Sequence, residues 1–426
     1  MKKKYRIILY TSIFLLCVVA SIILVVKKSN SVYEEESKPK VVKHKSMLSM
    51  NLEQTAGAGD YKTVTQSKWP TEGYKFNAEL SRCENGSTLS WDDTKKAVIV
   101  SGNLSDKCYV YFDIYQPTLA EYIKSQYTGT QGENNIYYHD SDLANGAGDN
   151  SYRYAGANPN NFVCFGSDTS PCPTDNLYRI IGVFGENYHG VTGKQLVKLI
   201  KYDYMTTDEL GTDGDYSQTY KEWGMDSTYK GTYGDGERIG VYFWNKDAST
   251  NTWSTSLLNK TNLNTNFINY LGTTWANKIA TVTWKVGGNT WANIGAKTSS
   301  VAYTNEITNP VTTNTTDNAT TYSAKIGLMY VSDYGFAASP DAWTLTMSSY
   351  NNTTATNNNW MYMGLYEWTI SRNADYSNNA FIVNYDGLVG YNGVDGRDGV
   401  RASFNLESSV SYVSGSGSMS DPIVIN

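Results

Sequence analysis

The chain has 426 residues, 40% of them apolar and 18% charged, with 35 tyrosines and a formal charge of −6. That length and apolar content allow two or three domains with cores of their own. Residues 1–28 hold six basic groups and no acid, so the remainder carries 29 basic against 41 acidic residues, a balance of −12 that excludes nucleic acid as a partner.

Residues 7–26 carry no charge and are fenced by Lys2, Lys3, Lys4 and Arg6 before them and by Lys27 and Lys28 after them. Twenty helical residues span about 30 Å, the hydrocarbon thickness of a bilayer, so the stretch predicts an N-terminal membrane helix. Its length, and the lysines directly after it, set it apart from the shorter core of a cleaved signal peptide. Segment 1–28 therefore reads as the cytoplasmic tail and anchor of a single-pass cell-membrane protein whose C-terminal portion is extracellular. Segment 29–60, with Glu34, Glu35 and Glu36, scattered lysines and an Ala-Gly-Ala-Gly run at 56–59, reads as a stalk.

Between 61 and 115, Trp69, Tyr74, Phe76, Val98, Val100, Tyr109 and Tyr111 fall in short alternating runs, punctuated by Asn85-Gly86, Asp92-Asp93 and Ser101-Gly102. This pattern predicts a small antiparallel β domain. Cys17 lies in the anchor stretch, which leaves Cys83, Cys108, Cys164 and Cys172. Near-neighbour pairing, Cys83 with Cys108 and Cys164 with Cys172, is the most economical scheme and fits an oxidising exterior; four buried thiols are the alternative. The first bridge is expected to tie the outer strands of the small domain.

Pro117, then Leu119, Tyr122 and Ile123 on one face and Gly129 beyond, predict a short helix over 117–127. With the Tyr- and Gly-rich stretch 134–161 it makes a connector, 116–174. Runs 177–184 and 195–200 predict a hairpin with one buried strand. Leu263, Phe267, Tyr270 and Leu271 predict a helix stopped by Gly272, and Val282, Trp284 and Val286 alternate as a strand. Residues 325–331 read as a strand, with Ser332 and Asp333 capping a short helix through Ala338. The Thr- and Asn-rich segments 312–321 and 348–359 read as surface loops.

The chain closes with a Glu-Trp-Thr-Ile-Ser-Arg block at 367–372, an apolar run at 380–383, Asp386-Gly387 before Val389, and Gly-Val-Arg-Ala-Ser-Phe at 399–404. In this order, after the Tyr-Arg-Ile-Ile-Gly-Val-Phe run at 178–184, these blocks resemble a bacterial surface-domain family of unknown function. That family is similar to the C-type-lectin-like and formylglycine-generating-enzyme-like folds. The resemblance covers about 175–426 and departs from the pattern where Ala402 replaces the usual Pro and where Trp368 stands without a second Trp. It implies an α+β fold with a C-type-lectin-like domain over 175–426. It also gives Trp368, Arg372 and Arg401 a structural role, with Arg401 satisfying buried carbonyls or a carboxylate. The copper-dependent oxidation of the enzyme-like branch needs two cysteines in the C-terminal core; none follows Cys172, so that activity is not carried over.

The three histidines, His44, His139 and His189, lack zinc-site spacing, and the serine-hydrolase elbow and phosphate loop are absent. The acidic turns at 140–149 and 395–399 do not match the spacing of the twelve-residue calcium loop. No metal and no cofactor are expected. What remains is recognition, for which Tyr, Asn, Ser, Thr and Gly supply rigid amphipathic rings and small hydrogen-bonding groups. The sequence is read as a membrane-anchored extracellular binding protein that meets a glycan or a surface-protein ligand through Tyr376, Tyr385, Tyr391, Asp395 and Arg397. A cell-wall or glycan hydrolase using a carboxylate pair, and a passive spacer, are the competing readings.

Overall fold

The computed structural model describes residues 48–65, 68–70, 73–185, 193–223, 228–234, 237–311 and 319–426. The chain divides into two compact units, Met1–Tyr115 and Gln116–Asn426.

In the first unit a four-stranded sheet runs in the order β2 (Tyr61–Val64), β1 (Leu48–Glu53), β6 (Cys108–Ile114), β3 (Tyr74–Cys83), beside a separate hairpin of β4 (Thr88–Asp92) and β5 (Ala97–Ser101). The expected stalk is corrected here, because its last residues are sheet. Met50 and Leu52 are buried with Val110 and Phe112, and the Phe112 ring is met by Trp69, Phe76 and Trp91 at 5.6–5.9 Å. The Ala-Gly-Ala-Gly run is the β1–β2 turn, with Gly57 and Gly59 at φ +70° and +69°, closed by the Asp60 carboxylate accepting from the Gln54 and Thr55 amides. β1 pairs with β6 in parallel, so the unit is not purely antiparallel. Cys83 and Cys108 are bonded and sit directly opposite each other on the edge strand β3 and its inner neighbour β6, so the bridge does not join the two outer strands, β2 and β3.

The second unit contains two larger sheets. One runs β16 (Ile326–Gly327), β21 (Ser403–Asn405), β11 (Gln195–Lys201), β10 (Leu177–Gly185), β8 (Ser151–Tyr154), β7 (Ile136–His139), with β9 (Phe162–Cys164) also on β10. The other runs β12 (Tyr216–Thr219), β13 (Gly240–Tyr242), β20 (Asp398–Gly399), β17 (Glu367–Arg372), β18 (Asn379–Val383), β19 (Val389–Gly393). Among the described residues all strand pairs of this unit, including the separate ladder of β14 (Val282–Lys285) with β15 (Thr321–Ala324), are antiparallel except β17 with β20. β10 is buried on both faces along eight of its nine residues, which explains a run with no polar alternation. Gly182 sits at a bulge in β10, where a Cβ would lie 2.3 Å from the Tyr152 carbonyl oxygen. Strands of the expected connector therefore belong to this sheet, and Cys164 is bonded to Cys172 beside it. A last hairpin, β22 (Tyr412–Ser414) with β23 (Val424–Ile425), is fastened by Ile423 lying parallel to Val163.

The expected α+β architecture with an N-terminal membrane helix is corrected. The structure is mostly β, with 34% strand and 21% helix. Among the described residues no helix is long and apolar enough to cross a membrane, and the stretch 7–26 lies outside the described residues. The helices are short: α1 (Leu119–Ser125) and α3 (Val331–Ala337) have seven residues each. Val, Ile, Tyr and Trp, which fit a pleated surface, recur throughout the buried core. The helix expected around Leu263 begins with a π-wound segment, Leu258–Phe267, and continues as α2 (Ile268–Ala276) past Gly272, whose φ of +71° kinks it instead of ending it. The strand expected over 325–331 stops at Gly327, and Val331 already opens α3. Within 348–359 a short helix, Asn352–Asn358, replaces the expected loop, started by the Asn351 side chain accepting from the Thr353 and Thr354 amides. His189 and residues 312–318 lie outside the described residues.

Candidate functional site

A cleft of about 200 Å³ opens where α1, the turn before β7, the loop before β9 and the C-terminal hairpin meet. Each wall has a local cause. Thr118 and Glu121 form a capping box, the Thr118 side chain accepting from the Glu121 amide and the Glu121 carboxylate from the Thr118 amide. This fixes α1 with Leu119, Ala120 and Ile123 in the core, and Tyr122 and Gln126 on the cleft. Asn134 and Asn135 both take φ +58°, a left-handed conformation that costs most side chains about 1 kcal/mol or more and that asparagine tolerates best. The Asn134 side-chain amide donates to the Gln126 carbonyl at 2.9 Å, and the Ala155 amide donates to the Asn135 carbonyl at 3.0 Å, which ties the turn to α1 and to the end of β8. The Tyr412 ring, outside the lining, stacks on Tyr122 at 3.7 Å with planes 7° apart and holds it in place.

The floor is apolar: Ile136, Tyr154 and Ile423 are buried. The rim is neutral and polar, from Gln126, Asn134, Asn135, Asn160 and Ser416. Among the described residues, the two phenols are the only ionisable groups that line the cleft. Burial pushes the Tyr122 phenol up to about 12 and the Tyr154 phenol upward too, so both stay protonated at neutral pH. The chemistry on offer is stacking and neutral hydrogen bonding, and no carboxylate pair for glycoside cleavage is assembled in this lining. Among the described residues no three His, Cys, Asp or Glu side chains are arranged to hold a metal ion. His139 is fully buried, its Nδ1 accepting from the Ala147 amide and its ring packed at 4.9 Å from Phe336 and 5.2 Å from Trp343; burial lowers its pKa well below the usual value.

The residues singled out from the sequence fall in different places. Tyr376 and Tyr391 are 50% and 40% exposed with ring centroids 5.9 Å apart, and Trp291 meets Tyr391 edge-on at 5.4 Å. These three form one aromatic platform. Tyr385 is not part of it. It sits in the β18–β19 turn, at the other end of β18 from Tyr376, with its ring on Tyr366 at 5.3 Å and its carbonyl accepting from Tyr362 and Thr228. Asp395 and Arg397 are exposed in the turn after β19, where Arg397 donates to Gln218 at 3.1 Å. The other three are interior. The Trp368 indole donates to the Tyr242 carbonyl at 2.8 Å. The Arg372 guanidinium donates to the Val311 carbonyl, and burial lowers its pKa to about 10. Arg401 donates to Glu367 at 2.8 Å and to the Met361 carbonyl at 2.6 Å.

Sequence reading passed over the cleft because its walls come from α1, from 134–160 and from 416–423. The one local signal was the pair Asn134-Asn135 next to Gly132, a cluster suited to left-handed backbone. Compared with known proteins, the chain matches no family model, no curated protein and no solved structure.

Proposed function

We propose that this chain is an extracellular binding protein that takes a neutral glycan into the cleft beside α1. The observation that carries the proposal is the lining itself: amides and hydroxyls around an apolar floor, with tyrosine rings and no charge. Sugars present the complementary surface, C–H faces for the rings and hydroxyls for the amides. The volume, about 200 Å³, is below the roughly 300 Å³ at which drug-sized pockets begin, so the cleft suits the end of a sugar chain. Two disulfides fit an oxidising location outside the cell. The resemblance of the closing blocks to a surface-domain family points the same way.

The test is an array of glycans and cell-wall fragments probed with the purified chain, followed by titration of any hit against Asn135→Gly. Glycine accepts the left-handed backbone, so the variant removes the amide and leaves the turn intact. Affinity should fall at least tenfold, about 1.4 kcal/mol, with an unchanged melting temperature. A second reading rests on the platform of Trp291, Tyr376 and Tyr391, whose exposed rings can also stack on a sugar. If Asn135→Gly binds normally while Tyr376→Ala with Tyr391→Ala does not, the platform is the site. Normal binding by both variants removes both assignments.

A further inference from the structure

Lys198, in the middle of β11, and Asp333, in the first turn of α3, stand 135 positions apart in sequence, with Nζ 2.5 Å from Oδ2. Both side chains are closed to solvent, 1% and 3% exposed. The amine lies 4.4 Å from the Tyr330 ring and 5.2 Å from Trp284, so aromatic faces replace its water shell, and burial lowers the lysine pKa. On the other side of the carboxylate, Arg153 Nη1 lies 3.7 Å from Oδ1, and this guanidinium is held by Asp149 at 2.6 Å and by Ser151 at 2.8 Å. A cavity of about 10 Å³ adjoins Lys198, Asp333, Ser332 and Arg153, close to the volume that admits one water. Ser332 donates from this wall to Glu306 at 2.7 Å, and burial pushes the fully enclosed Glu306 carboxyl up to about 7.

We propose that Lys198 and Asp333 condense into an intramolecular isopeptide bond that fastens β11 to α3. In this dry site the ammonium passes one proton to the carboxylate, leaving a neutral amine against a neutral carboxyl group. The amine lone pair attacks Cγ, and the negative charge that develops on Oδ1 faces the Arg153 guanidinium. The C–Oδ2 bond breaks, Oδ2 leaves as water with one proton from the carboxyl and one from the nitrogen, and the adjoining cavity receives it. The nitrogen keeps its last proton as the amide N–H. Glu306, linked to the cavity wall through the Ser332 hydroxyl, is the group placed to carry the proton from nitrogen to the leaving oxygen. No oxidant or other reactant is needed. The product exchanges two buried ions for one neutral amide, and closing a loop of this length restricts the unfolded chain as a long-loop disulfide does.

The experiment is intact mass spectrometry of the purified, fully reduced and denatured chain beside its Lys198→Arg variant, so that any processing common to both cancels. Wild type should fall short of its sequence-based mass by one water, while the variant shows none of this loss. A tryptic map of wild type should contain one branched peptide joining the segments around Lys198 and Asp333. Should the variant not fold, the wild-type map alone decides. Full mass, with trypsin cutting after Lys198 and its amine open to acetylation, would show an ordinary salt bridge and overturn the proposal.

Discussion

Replacing Arg401 with methionine tests whether the second unit depends on a buried cation at its centre. The guanidinium is 1% exposed, bonded to the Glu367 carboxylate at 2.8 Å and to the carbonyls of Met361 and Tyr202 at 2.6 and 3.4 Å. Methionine fills much of the volume but leaves Glu367, itself 2% exposed, as a buried carboxylate without its cation. Breaking a buried pair from one side costs about 3–5 kcal/mol. At roughly 2 °C per kcal/mol for a unit of this size, the melting temperature should fall by about 6–10 °C. Adding Glu367→Gln should recover about half, because the uncompensated charge disappears while the two carbonyls stay orphaned at about 1–3 kcal/mol each. Buried Trp244, Trp253, Trp284, Trp343 and Trp368 supply a fluorescence signal for guanidinium unfolding. A single mutant within about 1 kcal/mol of wild type, or a double mutant worse than the single, would refute the reasoning.

Asp398 is buried, accepts from the Asn392 amide at 3.1 Å, and burial raises its pKa to about 7. Because the folded pKa lies above the unfolded one, the unfolded state binds fewer protons between pH 4 and 7, so this group makes stability fall as pH rises through that window. Stability of wild type relative to Asp398→Asn should therefore drop by up to about 4 kcal/mol from pH 4 to pH 8; a difference that stays flat in urea titrations counts against it. Cys83→Ser with Cys108→Ser opens a bridge of sequence separation 25 in a unit with a small core, and should cost about 3 kcal/mol; loss of β1–β6 amide protection by hydrogen exchange measures it, and unchanged protection contradicts the role. Deleting residues 408–426 removes Ile423 and Ile425, 1% and 4% exposed, together with the hairpin that covers α1 and β9. The truncated chain should aggregate or melt at least 5 °C lower, by about 3 kcal/mol for two large buried side chains, and an unchanged calorimetric transition would show the tail to be dispensable.

Much of the scaffold was legible because it is local. The run at 177–184, the cysteine spacings, the turn dipeptides of the first unit and the Pro117 helix start all depend on neighbours within a few residues. The misreadings share a different cause. Leu48, Met50 and Leu52 do alternate with Ser49, Asn51 and Glu53, yet the strand looks like linker because its partner β6 begins 60 positions later and pairs in parallel. Gly272 reads as a stop because a positive φ usually ends a helix, whereas Leu263, Phe267 and Leu271 before the kink and Trp275 after it pack into the same core and hold it together.

The acidic balance, the number and spacing of cysteines, the β-rich buried runs and the aromatic, amide-rich vocabulary of the surface follow from composition and short-range pattern alone. Long-range packing is what puts Tyr376 and Tyr391 on one platform without Tyr385, stacks Tyr122 on a ring 290 positions away while it lines a cleft with Asn135 and Asn160, and brings Lys198 to Asp333 in an aromatic cage. The physical reason is that burial and proximity are properties of the packed core: a side chain's neighbours, its exposure to water and hence its pKa depend on which distant strands close over it.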